Sequence, residues 1–541
     1  MATTVFTNGR FFCPDAEEDG FVSTMVVSGE SIVHVGSDDH EYVRRGKASG
    51  VSVDLGNKLV LPGFIDGHVH ILNFGQSLQK LDLLPCKSLE EIRREIKSYA
   101  VRTPTEPRIL CRGWIQSVTD GQALATALDD LDPRPIYIEA LDLHSTWCST
   151  AALQELGVDR MSNPPGGMIH RAENGQPAGL LDEAAHFNIV WPFLDQAASR
   201  DQKLAAISAA LAAHRHAGYT GLVDMAMDEK TWEMLQLYRA QYNEFPLHIA
   251  AHWLVPYSGD RSEIARYIDR AIELHRQFNR STSPGFCING IKLLCDGTVD
   301  GCTASLLHPY AGLPGRVDPI WPAPDLLWAI RRATDAGLQC ALHAIGDRTV
   351  QEAIDCLSQL PELQDCRHRI EHLELTTSED ARRLGDMGII ASVQPVHLDP
   401  ATFGAWPEFL GPERCKRAFA YREFVDGGAS LVLGTDAPTA KHLPLPNLYN
   451  ATTRRSALEP DLVDVLNPEF ALPLATAVSA ATSGAAFASF AESWTGSLRA
   501  GFQANFVILD MAWTPETLLQ ARVEQTWYKG RKVFDADEGL C

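Results

Sequence analysis

Short apolar runs alternate with longer helix-like stretches through the middle of the chain. Such alternation is typical of a parallel α/β domain. Eight runs fit: Leu59–Asp66, Tyr219–Asp224, Leu247–Trp253, Asn289–Leu294, Gln339–His343, His368–His372, Ile389–Gln394 and Leu431–Asp436. Eight β/α repeats that close on themselves predict an α/β fold of the (β/α)8 TIM-barrel type. Its chemistry is expected at the carboxyl ends of the strands.

The two ends of the chain show a different pattern, in which short β-type runs are separated by turns. These runs begin at Thr4, Met25 and Ser31 near the N-terminus and at Ala504, Val523 and Lys532 near the C-terminus. We therefore expect one small β-sandwich domain from residues 1–60 and 490–541, with the barrel over 61–489. A connection in such barrels usually has about 2 to 6 residues. The far longer stretch of about 78–215 predicts a subdomain inserted after the first strand, beside the barrel mouth.

Composition and charge narrow the class of protein. The 541 residues are 45% hydrophobic, and 47 basic against 69 acidic side chains give a formal charge of −22. This balance disfavours nucleic acid and anionic membrane surfaces as partners and favours a small-molecule substrate. The twelve cysteines form no Cys-x-x-Cys pair, so free thiols in a reducing compartment are expected. Without a signal sequence or a long apolar window, the chain is predicted to be cytoplasmic.

The first run leads into two histidines, His68 and His70. An extended strand places residues i and i+2 on one face, so both imidazoles can reach one metal ion. A single histidine is more often a satisfied core or surface group, so the interpretation depends on partners from other strands. Six candidates occur at successive strand ends: His68, His70, Lys292, His343, His372 and Asp436. This set predicts a metal site for zinc or a neighbouring first-row metal.

Lys292 is the unusual member, because it lies inside the apolar run Asn289–Leu294. An unpaired buried charge is costly, and a buried lysine has a lowered pKa and becomes nucleophilic. Its amine could add carbon dioxide to form a carbamate that bridges two metals about 3.5 to 4 Å apart. The alternatives are a lysine that turns outward or pairs with Asp296, and one metal would then suffice.

Several motifs together resemble the amidohydrolase superfamily, and within it the amidohydrolase family 3 group that includes N-substituted formamide deformylases. The matching segments are Leu61–His70, Gly167–Arg171, Ala178–Leu181, Ile291–Gly297, Leu306–Tyr310, Leu342–Asp347, Arg369–His372, Ser392–Pro395 and Leu433–Pro438. They occur in the family's order and cover nearly the whole chain. The resemblance implies a distorted TIM barrel with a small second domain, and a homodimer.

The same resemblance implies roles for the six candidates. His68 and His70 would bind the buried metal, Lys292 would bridge as a carbamate, and His343 and His372 would bind the second metal. Asp436 would bind the first metal and act as general base and acid. Two zinc ions are expected, although manganese, iron or cobalt could occupy similar ligands. The implied reaction is hydrolysis of an amide, N-formyl or N-acyl C–N bond by metal-activated hydroxide, with Asp436 and Lys292 as the catalytic residues.

Eight further side chains are candidate substrate contacts: Trp114, His144 and Trp147 in the insert, and Asp296, His308, Tyr310, Gln394 and His397 after later strands. The tryptophans have an equally economical role in the core of the insert. Ile115 and Leu143 depart from the family's usual residues there, which puts transfer of a relative's substrate in doubt. The residues after the fourth strand could equally shape a loop, and His397 could cap the next segment.

Three other functions compete with amide hydrolysis. A cyclic amidine deaminase of this superfamily would be expected to carry a His-x-x-Glu segment, whereas His343 is followed by Ala-Ile-Gly. A non-hydrolytic reaction such as decarboxylation could use the same ligands. A metal-free binding protein is the alternative from another class, and the six intact ligand positions disfavour it.

Overall fold

A computed structural model describes residues 3–16, 20–141, 143–164, 167–313, 315–361 and 363–538. Its central sheet has eight parallel strands whose spatial order follows the chain. We number them β1 (Phe64–Val69), β2 (Tyr219–Met227), β3 (His248–Leu254), β4 (Phe286–Leu294), β5 (Gln339–Ala344), β6 (Arg369–His372), β7 (Ile390–Val393) and β8 (Leu431–Leu433). The amide of Asp436 donates to the carbonyl oxygen of His68 at 2.7 Å, and Val69 bridges Ala437, so β8 meets β1. The predicted barrel is confirmed.

Helices alternate with these strands. They include Glu229–Tyr242, Arg261–Gln277, Ala323–Thr334, Asp347–Leu357, Ser378–Asp386, Tyr421–Asp426 and Pro444–Thr453. Arg261–Gln277 shows why such a segment is helical. Asp260 caps its first turn, and it buries Ile264, Ile268, Ala271 and Leu274, which recur every three or four residues on one face.

Side chains from most strands fill the end of the barrel opposite the predicted site. Ile65, Val223, Ala250, Cys287, Ala341, Ile390 and Val432 form one cluster with Ala485, Ala486, Ala488 and Ala491. The last four belong to or follow the helix Ala485–Ala488, whose small side chains allow close packing. This closed core leaves the carboxyl ends of the strands for polar groups.

The terminal segments form two further sheets. One contains Ser31–Gly36, Thr24–Ser28, Thr3–Thr7 and Val51–Asp54, and the other Arg531–Asp535, Arg522–Tyr528, Phe506–Asp510, Leu59–Pro62, Arg10–Phe12 and Phe21–Val22. A shared core that includes Phe6, Phe11, Val60 and Phe506 joins them. The two ends of the chain thus form extra sheets together, as their β-type runs predicted.

The first apolar run, Leu59–Asp66, was predicted to form a single barrel strand, but the structure divides it between two sheets. Leu59–Pro62 pairs in the terminal sheet, and only Phe64–Val69 enters the barrel. Gly63 lies at the change of direction, where an added Cβ would lie 2.3 Å from the side chain of Thr220. The apolar pattern could not show this division, because residues on both sides of Gly63 are buried.

The chain divides into unit 1, Met1–Ile71 with Leu211–Cys541, and unit 2, Leu72–Ala210. Unit 2 has its own sheet of Gly167–Arg171, Pro177–Glu183, Ser145–Cys148, Ile136–Ala140, Ile109–Trp114 and Leu81–Asp82. Its helices include Leu89–Arg102, Thr150–Leu156 and Trp191–Ala197. The eleven described cysteines are free, as predicted, and Cys541 lies outside the described residues. No helix in the described ranges is long and apolar enough to cross a bilayer.

Candidate metal centre

Unit 1 brings the six predicted ligands to the carboxyl ends of the strands. Asp436 Oδ1 lies 3.0 Å from His70 Nε2 and 3.3 Å from His68 Nε2. The imidazole of His372 lies beside both neighbouring histidines, with ring centroids 5.0 Å from His68 and 4.3 Å from His343. Lys292, from β4, is buried and within electrostatic reach of Asp436. Residues from five strand ends therefore surround one small region.

Two carboxylates hold the ring of His68 from opposite sides. Its Nδ1 lies 2.7 Å from Glu371 Oε2, so Nε2 faces Asp436. Glu371 is fully buried and is bound by the guanidinium of Arg369. Although burial raises the pKa of a carboxyl group, Arg369 and His68 hold the pKa of Glu371 well below its usual range. A carboxylate behind a histidine fixes the orientation of that histidine as a metal ligand.

Replacing Glu371 with glutamine is expected to weaken metal binding by about 10- to 100-fold, the usual effect of losing such a supporting carboxylate. The neutral amide keeps the size of the side chain but no longer stabilises the positive charge that develops on His68. Equilibrium dialysis with zinc would measure the change. Unchanged affinity would show that Glu371 supports packing alone.

The unpartnered donors of the site fit a metal ion. Nζ of Lys292 is buried without a hydrogen-bond partner among the described residues, and the buried Oδ1 of Asp436 lies beside the imidazoles of His68 and His70. Burial lowers the pKa of Lys292 to about 8, and burial also lowers the pKa of His343 to about 3. A neutral imidazole is the form that binds a metal, and a neutral amine is the form that can be carboxylated. The potential ligand atoms of His68, His70 and Asp436 all lie within 4.8 Å of one another.

Backbone geometry at two of these positions is strained. Asp436 has φ 56° and His372 has φ 79°, in the left-handed region that side chains other than glycine rarely adopt. Each such residue costs about 1 to 3 kcal/mol and persists where surrounding contacts impose it. Gly434 permits the close approach of β8, because an added Cβ would lie 2.5 Å from the backbone nitrogen of His68. The fold thus places these side chains at a local energetic cost.

Three of the predicted substrate contacts, Asp296, His308 and Tyr310, lie in the loop after β4. The carboxylate of Asp296 has no exposed surface; it accepts from the amides of Ile345, Gly346 and Ser305 and lies 3.7 Å from His343 Nε2. Burial raises the pKa of Asp296 to about 7. Tyr310 is buried and donates its hydroxyl to the carbonyl oxygen of Ala304. The side chain of His308 is exposed, and its carbonyl oxygen accepts from Arg414. Asp296 therefore ties the loop after β4 to the residues that follow β5, and His343 Nε2 contacts the carbonyl oxygen of Gly297 at 3.3 Å.

Gln394 and His397 follow β7 and do reach the ligand group. Gln394 Nε2 lies 3.2 Å from His68 Nδ1, so the amide packs beside the ring nitrogen that faces Glu371. His397 lies in the short helix Pro395–Leu398, with Nδ1 3.2 Å from Glu374 Oε1 and Nε2 3.8 Å from Asp436 Oδ2. Burial opposes protonation of His397, but Glu374 outweighs it and raises the pKa of His397.

The insert candidates lie in unit 2. Trp114 and Trp147 are almost fully buried, pack at a centroid distance of 5.3 Å, and belong to the core of that unit. Trp147 donates its indole N–H to Leu124. In this structure neither indole offers surface to a substrate, because neighbouring apolar side chains cover both. His144 remains partly exposed and lies 3.1 Å from Glu183.

Truncating Trp114 to alanine is expected to destabilise unit 2 by about 3 to 5 kcal/mol, because it removes a large side chain from a packed core. Thermal unfolding would report the loss. KM should stay close to the wild-type value at temperatures where the variant is folded. A raised KM without loss of stability would instead identify Trp114 as a substrate contact.

Sequence reasoning assigned no role to Glu371, Arg369 or Glu374. A signal was available for the first two, because Arg369 and Glu371 are oppositely charged residues two positions apart in one predicted strand. Side chains at that spacing share a face and can pair. Glu374 carried no such signal, since it lies beyond the end of β6.

Histidines and a carboxylate meet at the carboxyl ends of the strands of a (β/α)8 barrel. This arrangement is typical of TIM-barrel enzymes that bind divalent metals. A sequence model of the amidohydrolase family matches residues 52–534. The chain therefore belongs to the amidohydrolase family, as its motifs predicted. Membership of that family supports the assignment of this chain as a metal-dependent hydrolase.

The chain is also similar to individual proteins. The chain is 29% identical to Protein LONG AFTER FAR-RED 3 of Arabidopsis thaliana, over 99% of this chain and 92% of that protein. It is 25% identical to N-substituted formamide deformylase of Arthrobacter pascens, over 90% and 89% of the two chains. A crystal structure of an uncharacterized metal-dependent hydrolase from Pyrococcus horikoshii shares the fold, with TM-score 0.77 and 22% identity over 98% and 100% of the chains.

Proposed function

We propose that this protein is a metal-dependent amidohydrolase that cleaves the C–N bond of a small amide, N-formyl or N-acyl compound. The observation that carries the proposal is the contact of Asp436 with both His68 and His70, beside the buried and unpartnered amine of Lys292. The deformylase relative supports an N-formyl substrate, because its name states that chemistry. Cytoplasmic location and a homodimer remain part of the proposal.

The proposed ligands are those that the sequence singled out. His68, His70 and Asp436 would hold one ion, and His343 and His372 would hold a second ion with Lys292 carboxylated between them. Zinc suits this nitrogen-rich set. When bound, such an ion polarises a carbonyl oxygen and lowers the pKa of water near it.

Asp436 transfers a proton from the attacking water to the leaving nitrogen. Its Oδ1 is buried beside the imidazoles of His68 and His70, which overcome the effect of burial and hold the pKa of Asp436 well below its usual range. The group is therefore an ionised base. It accepts a proton from water as the water oxygen bonds to the carbonyl carbon, and returns that proton to the nitrogen as the C–N bond breaks.

Elemental analysis of the purified protein, combined with a panel of N-formyl and N-acyl compounds, tests this proposal. We expect bound divalent metal, loss of hydrolysis after chelation, and recovery when zinc is restored. Product analysis would show an amine and a carboxylic acid. A protein that binds metal but hydrolyses none of these compounds, and instead releases carbon dioxide from a carboxylic acid or ammonia from a cyclic amidine, would refute the assigned reaction.

A further inference from the structure

A second group of donors lies where the chain leaves β6 and β7. It consists of His372, Glu374 and His397, whose potential ligand atoms all lie within 4.8 Å of one another. The imidazoles of His372 and His397 are nearly parallel, with centroids 5.9 Å apart. The resemblance assigns a metal only to His372 of these three.

This group repeats the composition of the first ligand group. His68, His70 and Asp436 are two imidazoles and one carboxylate, and so are His372, His397 and Glu374. Two atoms bound to one tetrahedral zinc at about 2.1 Å lie about 3.4 Å apart. The Glu374–His397 separation of 3.2 Å resembles the 3.0 and 3.3 Å separations in the first group. Two histidines and one carboxylate are also a common ligand set of catalytic zinc.

One of these donors is buried without a partner, whereas Glu374 and His397 lie 3.2 Å apart and His397 Nε2 also lies 3.2 Å from Thr439 Oγ1. His372 and Glu374 are 3% and 6% exposed, and His372 Nδ1 has no hydrogen-bond partner among the described residues. Carboxylate oxygens of Glu374 and Asp436 lie 3.2 and 3.8 Å from the ring nitrogens of His397, which places two acidic groups around that imidazole. Buried charges are usually paired or coordinate a metal, so this arrangement favours a divalent cation.

We propose that His372, Glu374 and His397 form a further divalent-cation position beside the first ligand group. It differs from the second metal position implied by the resemblance, because it uses neither Lys292 nor His343. Its two imidazoles select zinc or a neighbouring transition metal over magnesium or calcium. The inference rests on the proposed function, since His372 belongs to both ligand sets and His397 lies 3.8 Å from Asp436.

Zinc titration of the chelator-treated full-length protein tests the position. Glu374→Gln and His397→Ala are each expected to bind one zinc ion fewer per chain, or to bind one at least about tenfold more weakly. The double variant should lose the same ion and no other. Equilibrium dialysis followed by elemental analysis measures both quantities without reference to activity, and circular dichroism confirms that each variant is folded.

His170→Ala and Asp182→Asn are the matched controls. His170 Nε2 lies 2.6 Å from Asp182 Oδ2, so this pair has the same chemistry, but the described residues give it no third donor. Both controls should bind zinc as the wild type does.

Wild-type zinc stoichiometry and affinity in folded Glu374→Gln or His397→Ala would overturn the inference. A raised KM with unchanged zinc binding would overturn it too, and would make these residues substrate contacts. A wild-type protein that binds no zinc or other transition metal would refute the proposed metal centre as a whole. The two failures are therefore distinguishable.

Discussion

Asp436→Asn is expected to lower kcat by about 10²- to 10⁴-fold, the usual contribution of a positioned general acid and base. Asparagine has nearly the same shape, so contacts with His68 and His70 can persist. Its amide cannot accept the proton that the proposed reaction requires. The variant should keep some bound metal, although one anionic donor is lost.

Steady-state kinetics and elemental analysis on the same preparation separate these effects. A low kcat with metal still bound supports proton transfer by Asp436. A fall in activity that is fully restored by excess zinc would show that Asp436 is a ligand only. Full activity of the metal-loaded variant would remove both the proton role and the proposed reaction path.

Lys292→Ala is expected to lose bound metal and nearly all activity, because the proposed carbamate bridge can no longer form. The amine is buried, lacks a hydrogen-bond partner in the described structure and has its pKa lowered to about 8 by burial, so it is available as a neutral nucleophile at modestly alkaline pH. Short carboxylic acids should restore part of the activity, since alanine leaves space for a carboxylate between the ligands.

Lys292→Met provides the control. Methionine also removes the amine but fills most of the vacated volume, so carboxylic acids should not rescue it. Activity assays and metal analysis with and without acetate would compare the two variants. Normal metal content and turnover in Lys292→Ala would end the bridge proposal, and equal rescue of both variants would assign the acid a role elsewhere.

The barrel was predictable because its signal is local and repeated. Buried parallel strands such as β8 are short apolar runs, and eight mainly apolar runs separated by helical stretches favour one architecture. The division of Leu59–Asp66 between two sheets was not predictable, because both halves are apolar and buried. The roles of Trp114 and Trp147 were not predictable either, because the sequence cannot distinguish an aromatic residue in a core from one in a binding pocket.

The sequence by itself determined the barrel, the family and the residue types that could bind a metal, because each follows from local spacing and chemistry. Only the tertiary structure decided which groups meet. Glu371 and His68 are 303 residues apart in the chain, yet their side chains form a 2.7 Å contact. Glu374 follows β6 and His397 follows β7, and their side chains lie 3.2 Å apart. Such contacts depend on how the strands close into a barrel, which no short stretch of sequence encodes.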